Sequence, residues 1–138
     1  MGSDSVTGKT PYKLQKQGNL LWSRAAFGCN DSALIVTVRL LVDTGASYTM
    51  LSNRFIQSIA GKAIEPLRSE SILTANGSIT APVIPVPWIH CLGNRIEQFP
   101  IVACALPTNA FIDGLLGMDF LIRCAAVIDV HKAEIYVS

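Results

Sequence analysis

From Ala33 to Val42 the chain runs ten residues without a turn former and then meets Asp43, Thr44 and Gly45 in succession. Aliphatic and β-branched side chains dominate Val38 to Val42, so the stretch reads as a strand entering a core, with punctuation delayed until Gly45. This delivers an ionisable carboxylate to the end of a buried strand, where an uncompensated charge is costly. Hydrogen bonds or a partner group must hold it there, and carboxylates in such settings cluster at active sites. The competing reading is a simple turn, because Asp, Thr and Gly are all common turn residues. At average residue usage Asp-Thr-Gly would arise by chance in roughly 2% of chains this long, so the tripeptide alone does not decide between them.

The rest of the chain has a strand-and-turn rhythm. Leu20 to Phe27 reads as a strand, and Gly28-Cys29-Asn30-Asp31-Ser32 supplies turn residues before Ala33. Ser52 is placed to cap a short helix from Asn53 to Ala60, which Gly61 ends. Ser69 to Ala75 and Ser78 to Val83 flank Asn76-Gly77, the strongest short-range hairpin signal. Pro82, Pro85 and Pro87 confine the following stretch to edge positions or bulges, since proline cannot donate to a central ladder. Trp88 to Leu92 and Ile96 to Ala103 predict a second hairpin around Gly93-Asn94, and Ala126 to Val130 pairs with Glu134 to Val137 through His131-Lys132. The expected class is all-β with one or two short helices. Polar residues 1–19 read as a flexible N-terminal arm or as residues appended by cloning, and residues 20–138 as one domain.

Composition removes several function classes. A chain of 138 residues, half of them hydrophobic, can fill a core of its own, and a net charge near +1 gives no electrostatic case for nucleic acid or a membrane surface. No apolar run is long enough to span a bilayer, and the polar N-terminus lacks the apolar stretch of a signal peptide. Cys29, Cys91, Cys104 and Cys124 have no paired C-x-x-C spacing, and His90 and His131 lie far apart, so no metal site is expected. Free buried thiols favour a reducing, cytoplasmic compartment, unless the chain is a fragment of something longer. His90 and Cys91 are neighbours, but adjacent strand residues point to opposite faces, a poor geometry for a nucleophile and its base.

A second signal lies at Ile112-Asp113-Gly114-Leu115-Leu116-Gly117-Met118-Asp119-Phe120-Leu121. Leu41-Val42-Asp43-Thr44-Gly45-Ala46 followed later by Leu115-Leu116-Gly117 and a short helix over Met118 to Cys124 resembles the retropepsin-like aspartic proteases, over roughly Leu34 to Val137. The resemblance implies a closed β-barrel subunit active as a symmetric homodimer, with Asp43 catalytic and Thr44 and Gly45 supporting it. It makes Ala46 and Ser47, with the hairpin residues Thr74, Ala75, Asn76 and Gly77 acting as a flap, the substrate-binding set, and Leu115, Leu116 and Gly117 a structural motif. No metal or cofactor is implied. Many retroviral members carry an acidic residue after Asp-Thr-Gly-Ala and a basic residue after the later Gly, where this chain has Ser47 and Met118. Losing both partners together avoids a lone buried charge and places the chain nearer the cellular and bacterial branch. The usual tight hairpin just before the Asp-Thr-Gly strand is also absent, so it must be placed earlier or remodelled.

The chemistry sets the assembly. Acid proteolysis needs two carboxylates sharing one proton, because like charges about 3 Å apart cannot both ionise. This chain has one Asp-Thr-Gly, and Asp113-Gly114 lacks the intervening hydroxyl residue. Two copies must therefore meet on a two-fold axis, an arrangement small oligomers favour. The expected activity is hydrolysis of extended peptides with hydrophobic side chains, in a cleft lined by Ala46, Ile72, Val83 and Ile84. The alternatives are a catalytically silent retropepsin-like module for dimerisation or peptide binding, and an unrelated β-barrel binding domain in which Asp43 caps a turn. Sedimentation equilibrium should give about twice the subunit mass of 14.9 kDa; a monomer at every working concentration would defeat the dimer expectation.

Overall fold

The computed structural model describes residues 8–30, 33–61, 65–74, 77–105 and 112–138. Among these, strands β1 (Thr10–Lys13), β2 (Gln15–Gln17), β3 (Leu20–Gly28), β4 (Ile35–Val42) and β5 (Met50–Ser52) precede helix α1 (Asn53–Ala60). Strands β6 (Arg68–Thr74), β7 (Gly77–Cys91), β8 (Asn94–Cys104) and β9 (Gly114–Leu116) lead to helix α2 (Met118–Arg123), and β10 (Val127–Asp129) and β11 (Glu134–Val137) end the chain. The protein is thus mostly β-sheet with two helices among the described residues, consistent with the all-β expectation. Neither helix is long and apolar enough to cross a membrane.

One sheet follows the order β2-β3-β4-β9-β5-β8-β7-β6, and β3 also pairs with β7. Strands β3, β4, β9, β5, β8 and β7 therefore form a closed circuit of hydrogen-bonded neighbours. A second sheet has the order β1-β11-β10. Strands of the circuit contribute Phe27, Val38, Leu40, Leu51, Val86, Ile89, Ile101 and Leu116 to one buried apolar cluster. Both helices add to this cluster, α1 through Ile59 and α2 through Phe120 and Leu121.

Most of the turn chemistry is where it was expected. Gly61 ends α1 at φ 79°, a left-handed value that favours glycine, and its N–H reaches Gln57 O. Asn30 follows β3 and closes the same helix end, its backbone N–H donating to Ile59 O at 2.9 Å and its side chain to Ala60 O at 3.0 Å. The hairpin before the Asp43 strand is indeed displaced early: β3 and β4 pair from Trp22↔Leu41 out to Gly28↔Ile35. Pro85 and Pro87 lie on β7 beyond the last β6 partner, Val83, and before the first β3 partner, Ile89. β7 has only β8 beside it there, so no ladder position on the other side asks for the missing N–H.

Several expectations change. Residues 10–17 are not a loose arm: β1 pairs with β11 and β2 with β3. β2 is exposed throughout, so backbone pairing forms it without any apolar pattern, and the two-residue turn at Gly18-Asn19 was its only sequence signal. Ser52 precedes α1 but its side chain makes no capping bond; it is buried as the last residue of β5. The β7–β8 turn falls on Leu92-Gly93 rather than Gly93-Asn94, with both residues at positive φ and Cys91 paired to Asn94. Leu92 accepts that strained backbone because its side chain is buried in the main core.

Phe120 is fully buried and meets Phe99 edge to face, with centroids 5.8 Å apart and planes at 82°. Phe120→Ala should cost about 3–5 kcal/mol of unfolding free energy, measured by urea titration; a loss below about 1 kcal/mol would mean this junction is not well packed.

Candidate active site

β4 carries Asp43 to the surface of the chain because its ladder is continued by β9. The two strands run parallel, Leu40↔Gly114, Leu41↔Leu115 and Val42↔Leu116, and the Asp43 N–H extends the pattern to Leu116 O at 3.0 Å. The chain then turns on itself. Gly45 N–H donates to Asp43 Oδ1 at 2.9 Å and Ala46 N–H to Asp43 O at 3.2 Å, an Asp-led turn of the kind the tripeptide favours. A Cβ on residue 45 would lie 3.2 Å from Asp43 Oδ1 and crowd the carboxylate. Asp43 is half-buried, Thr44, Gly45 and Ser47 are exposed, and Ala46 is buried. The carboxylate expected at a desolvated strand end therefore stands at the rim of the single subunit.

The loop is fastened from beneath by α2. Ala46 O accepts from Met118 N–H at 2.8 Å and Ser47 O from Asp119 N–H at 3.3 Å, so carbonyls of the Asp43 loop satisfy the first free donors of the helix. This requires the two backbones to abut at Gly117, where a Cβ would stand 2.5 Å from Tyr48 C and O and 2.8 Å from Thr49 N. Gly114 is equally tight, since a Cβ there would stand 2.2 Å from Met50 O. Here β9 is wedged between β4 and β5, antiparallel to β5 through Met50↔Leu115 and Leu51↔Gly114. Leu115-Leu116-Gly117 thus supports the Asp43 loop directly.

Two further aspartates act here, and the sequence did not reveal their roles. Asp119 Oδ1 accepts from Thr49 N–H at 2.9 Å, Thr49 Oγ1 at 2.7 Å and Phe120 N–H at 2.8 Å. Thr49 Oγ1 in turn accepts from Gly117 N–H at 3.1 Å. The readable clue was an acidic residue in the first turn of a helix. Asp113 ties three elements together: Oδ2 accepts from Arg39 N–H at 2.9 Å, Oδ1 pairs with Arg54 at 2.7 Å, and its carbonyl accepts from Ser52 N–H at 2.8 Å.

The β6–β7 hairpin leans on the elements that follow the Asp43 loop. Ile72, Ala81 and Val83 pack with Met50 and Val102, and Tyr48 and Leu115 lie against them. Ile84 does not join this wall. It faces the opposite side of β7 and packs with Ala60 and Ala103, because neighbouring strand residues alternate. Gly77 opens β7 opposite Thr74; Ala75 and Asn76 lie outside the described residues.

Cys91, Cys104 and Cys124 are buried, Cys29 is half-buried, and all four are free thiols. Burial pushes the Cys91 thiol up to about 12 and raises the other three, which keeps them protonated and poorly nucleophilic. Exposed His90 and buried Cys91 lie on opposite faces. Among the described residues no three His, Cys, Asp or Glu side chains gather as a metal site.

An all-β chain with two short helices, an Asp-Thr-Gly loop at a strand end and a Leu-Leu-Gly element locked beneath it fits the aspartyl proteases. A family model described as aspartyl protease matches residues 29–120, two thirds of the chain, and spans both elements. The chain belongs to this retropepsin-like aspartyl protease family. A comparison with curated proteins returns no match.

Thr49 is fully buried and its hydroxyl joins Gly117 to Asp119. Thr49→Val keeps the shape and removes both bonds, so it should cost about 1–3 kcal/mol in chemical denaturation, whereas Thr49→Ser should recover most of it. Equal stability of all three would show that this network does not hold the loop.

Proposed function

We propose that the protein is an aspartic endopeptidase in which Asp43 of two identical subunits forms the catalytic pair. The observation that carries this reading is the state of Asp43. Asp113 and Asp119 are engaged by several donors each, whereas the Asp43 carboxylate is met by Gly45 N–H at the rim of the subunit, beside exposed Thr44. Membership of the aspartyl protease family points the same way.

In the dimer the two Asp43 carboxylates share a proton. The ionised one takes a proton from a water molecule as that water attacks the scissile carbonyl carbon, and the protonated one donates to the carbonyl oxygen. Collapse of the resulting tetrahedral diol breaks the C–N bond, with a proton passing to the leaving amine. Thr44 hydrogen-bonds to the opposite loop and keeps the carboxylates coplanar, and Gly45 lets the substrate backbone approach. The closed circuit of strands serves as the barrel of the subunit, and the β6–β7 hairpin as a flap over an extended peptide. Ile72 and Val83 at its base are buried against Met50 and Val102 and anchor the hairpin, and in this reading hydrophobic side chains are favoured near the scissile bond.

Asp43→Asn should lower peptide cleavage by at least about 10²-fold while leaving the circular dichroism spectrum and the dimer mass unchanged. Mixing wild type with excess Asp43→Asn subunits, at concentrations that allow exchange, should suppress activity beyond simple dilution, because mixed dimers hold one carboxylate. Cleavage that survives the substitution, or that tracks only the amount of wild-type chain, overturns the shared site. A dimer that pairs its Asp43 loops yet cleaves no peptide is instead the silent module.

A further inference from the structure

Beyond the apolar wall under the β6–β7 hairpin lies a charged extension. Paired residues of antiparallel strands share a face, so Arg68, Glu70 and Ile72 stand with Val83, Ala81 and Ile79 on one side of the hairpin. Ile72, Ala81 and Val83 are the residues that pack on Met50 and Val102. Beside this cluster opens a cavity of about 230 Å³ whose apolar wall includes Tyr48, Val83, Phe99 and Val102, and which Arg68 and Arg123 also line. Tyr48, Val83 and Val102 belong to both cavity and cluster, so the two are continuous, and Tyr48 lies five residues beyond Asp43 on the same stretch of chain.

The charges there are not equally available. Arg68 Nε donates to Glu70 Oε1 at 2.8 Å. Asp119 also lines the cavity, but its Oδ1 already accepts three hydrogen bonds. Arg123, the last residue of α2, is exposed and makes no ion pair among the described residues. A lysine entering this space would face Arg123, the arginine there with no ion pair among the described residues. A glutamate would lay its methylene stem on the apolar wall and its carboxylate against Arg123.

We propose that this cavity is a distal subsite of the peptide cleft that selects an acidic side chain a few residues from the scissile bond, with Arg123 as its specificity-determining residue. The proposal rests on the proteolytic reading for its substrate, yet binding tests it independently. The probes are peptides with one hydrophobic centre and Glu, Gln or Lys at the third or fourth position to either side. Dissociation constants are measured by fluorescence anisotropy on dimeric Asp43→Asn protein, and kcat/KM on the protein with Asp43 intact. At one position Glu should exceed Lys by about fivefold in both measurements. Arg123→Gln should flatten that ratio and Arg123→Glu should reverse it, with cleavage of the Gln peptide changed less than about twofold. Because Arg123 is exposed, unfolding midpoints should stay close to that of the parent protein. A Glu preference in binding with no cleavage of any peptide defeats the protease reading and leaves the subsite standing. Equal binding of Glu and Lys peptides, a preference unmoved by Arg123→Glu, or no peptide binding at all overturns the subsite.

Discussion

The close approach of Gly117 to the backbone of Tyr48 and Thr49 governs the site more than any single polar bond does. With no Cβ in the way, the carbonyls of Ala46 and Ser47 reach the first amides of α2, and the Thr49 hydroxyl reaches both Gly117 N–H and Asp119. Beneath this, β9 fits between β4 and β5 only because Gly114 leaves room for Met50 O. A side chain at either glycine would push the helix and the loop apart, and the bonds that satisfy both would be lost together. The geometry of the loop after Asp43 is thus a consequence of packing at residues more than seventy positions further along the chain.

The three aspartates of this region divide by how they are satisfied. Asp113 spans β4, β5 and α1, and Asp119 spans the Asp43 loop and α2, each through several donors. Carboxylates bonded in this way serve as acceptors that fix a geometry. Asp43 sits in an equally ordered frame yet keeps a half-exposed carboxylate. In the proposed enzyme that asymmetry is functional: the frame is completed within one chain, and the reacting pair is completed only between two.

Legibility differed sharply between local and long-range features. The helix from Asn53 to Ala60 with its Gly61 stop, the β6–β7 and β7–β8 hairpins and the pair of closing strands were readable because turn residues and apolar runs act over a few positions. β1 and β2 were not, since both are polar strands whose existence depends on partners already in place, β11 and β3. Ser52 looked like a helix cap from its neighbours in sequence, but it ends a buried strand and its side chain cannot turn back to the helix. Ile84 was assigned to the wall beneath the hairpin on hydrophobicity alone; strand parity sends it to the α1 side.

For the site itself, the sequence by itself determined the family of the chain and the order of the two elements that frame Asp43. Asp43-Thr44-Gly45 after an apolar strand, followed later by Leu115-Leu116-Gly117, is enough to specify an aspartyl-protease chain, because each element carries its own strand and turn chemistry. Only the tertiary structure decided how the elements are joined, which aspartates are consumed as internal acceptors, and which arginine beside the hairpin has no ion pair among the described residues. Those outcomes depend on backbone separations of a few ångström between residues distant in sequence, and such distances are set by core packing, not by local propensity.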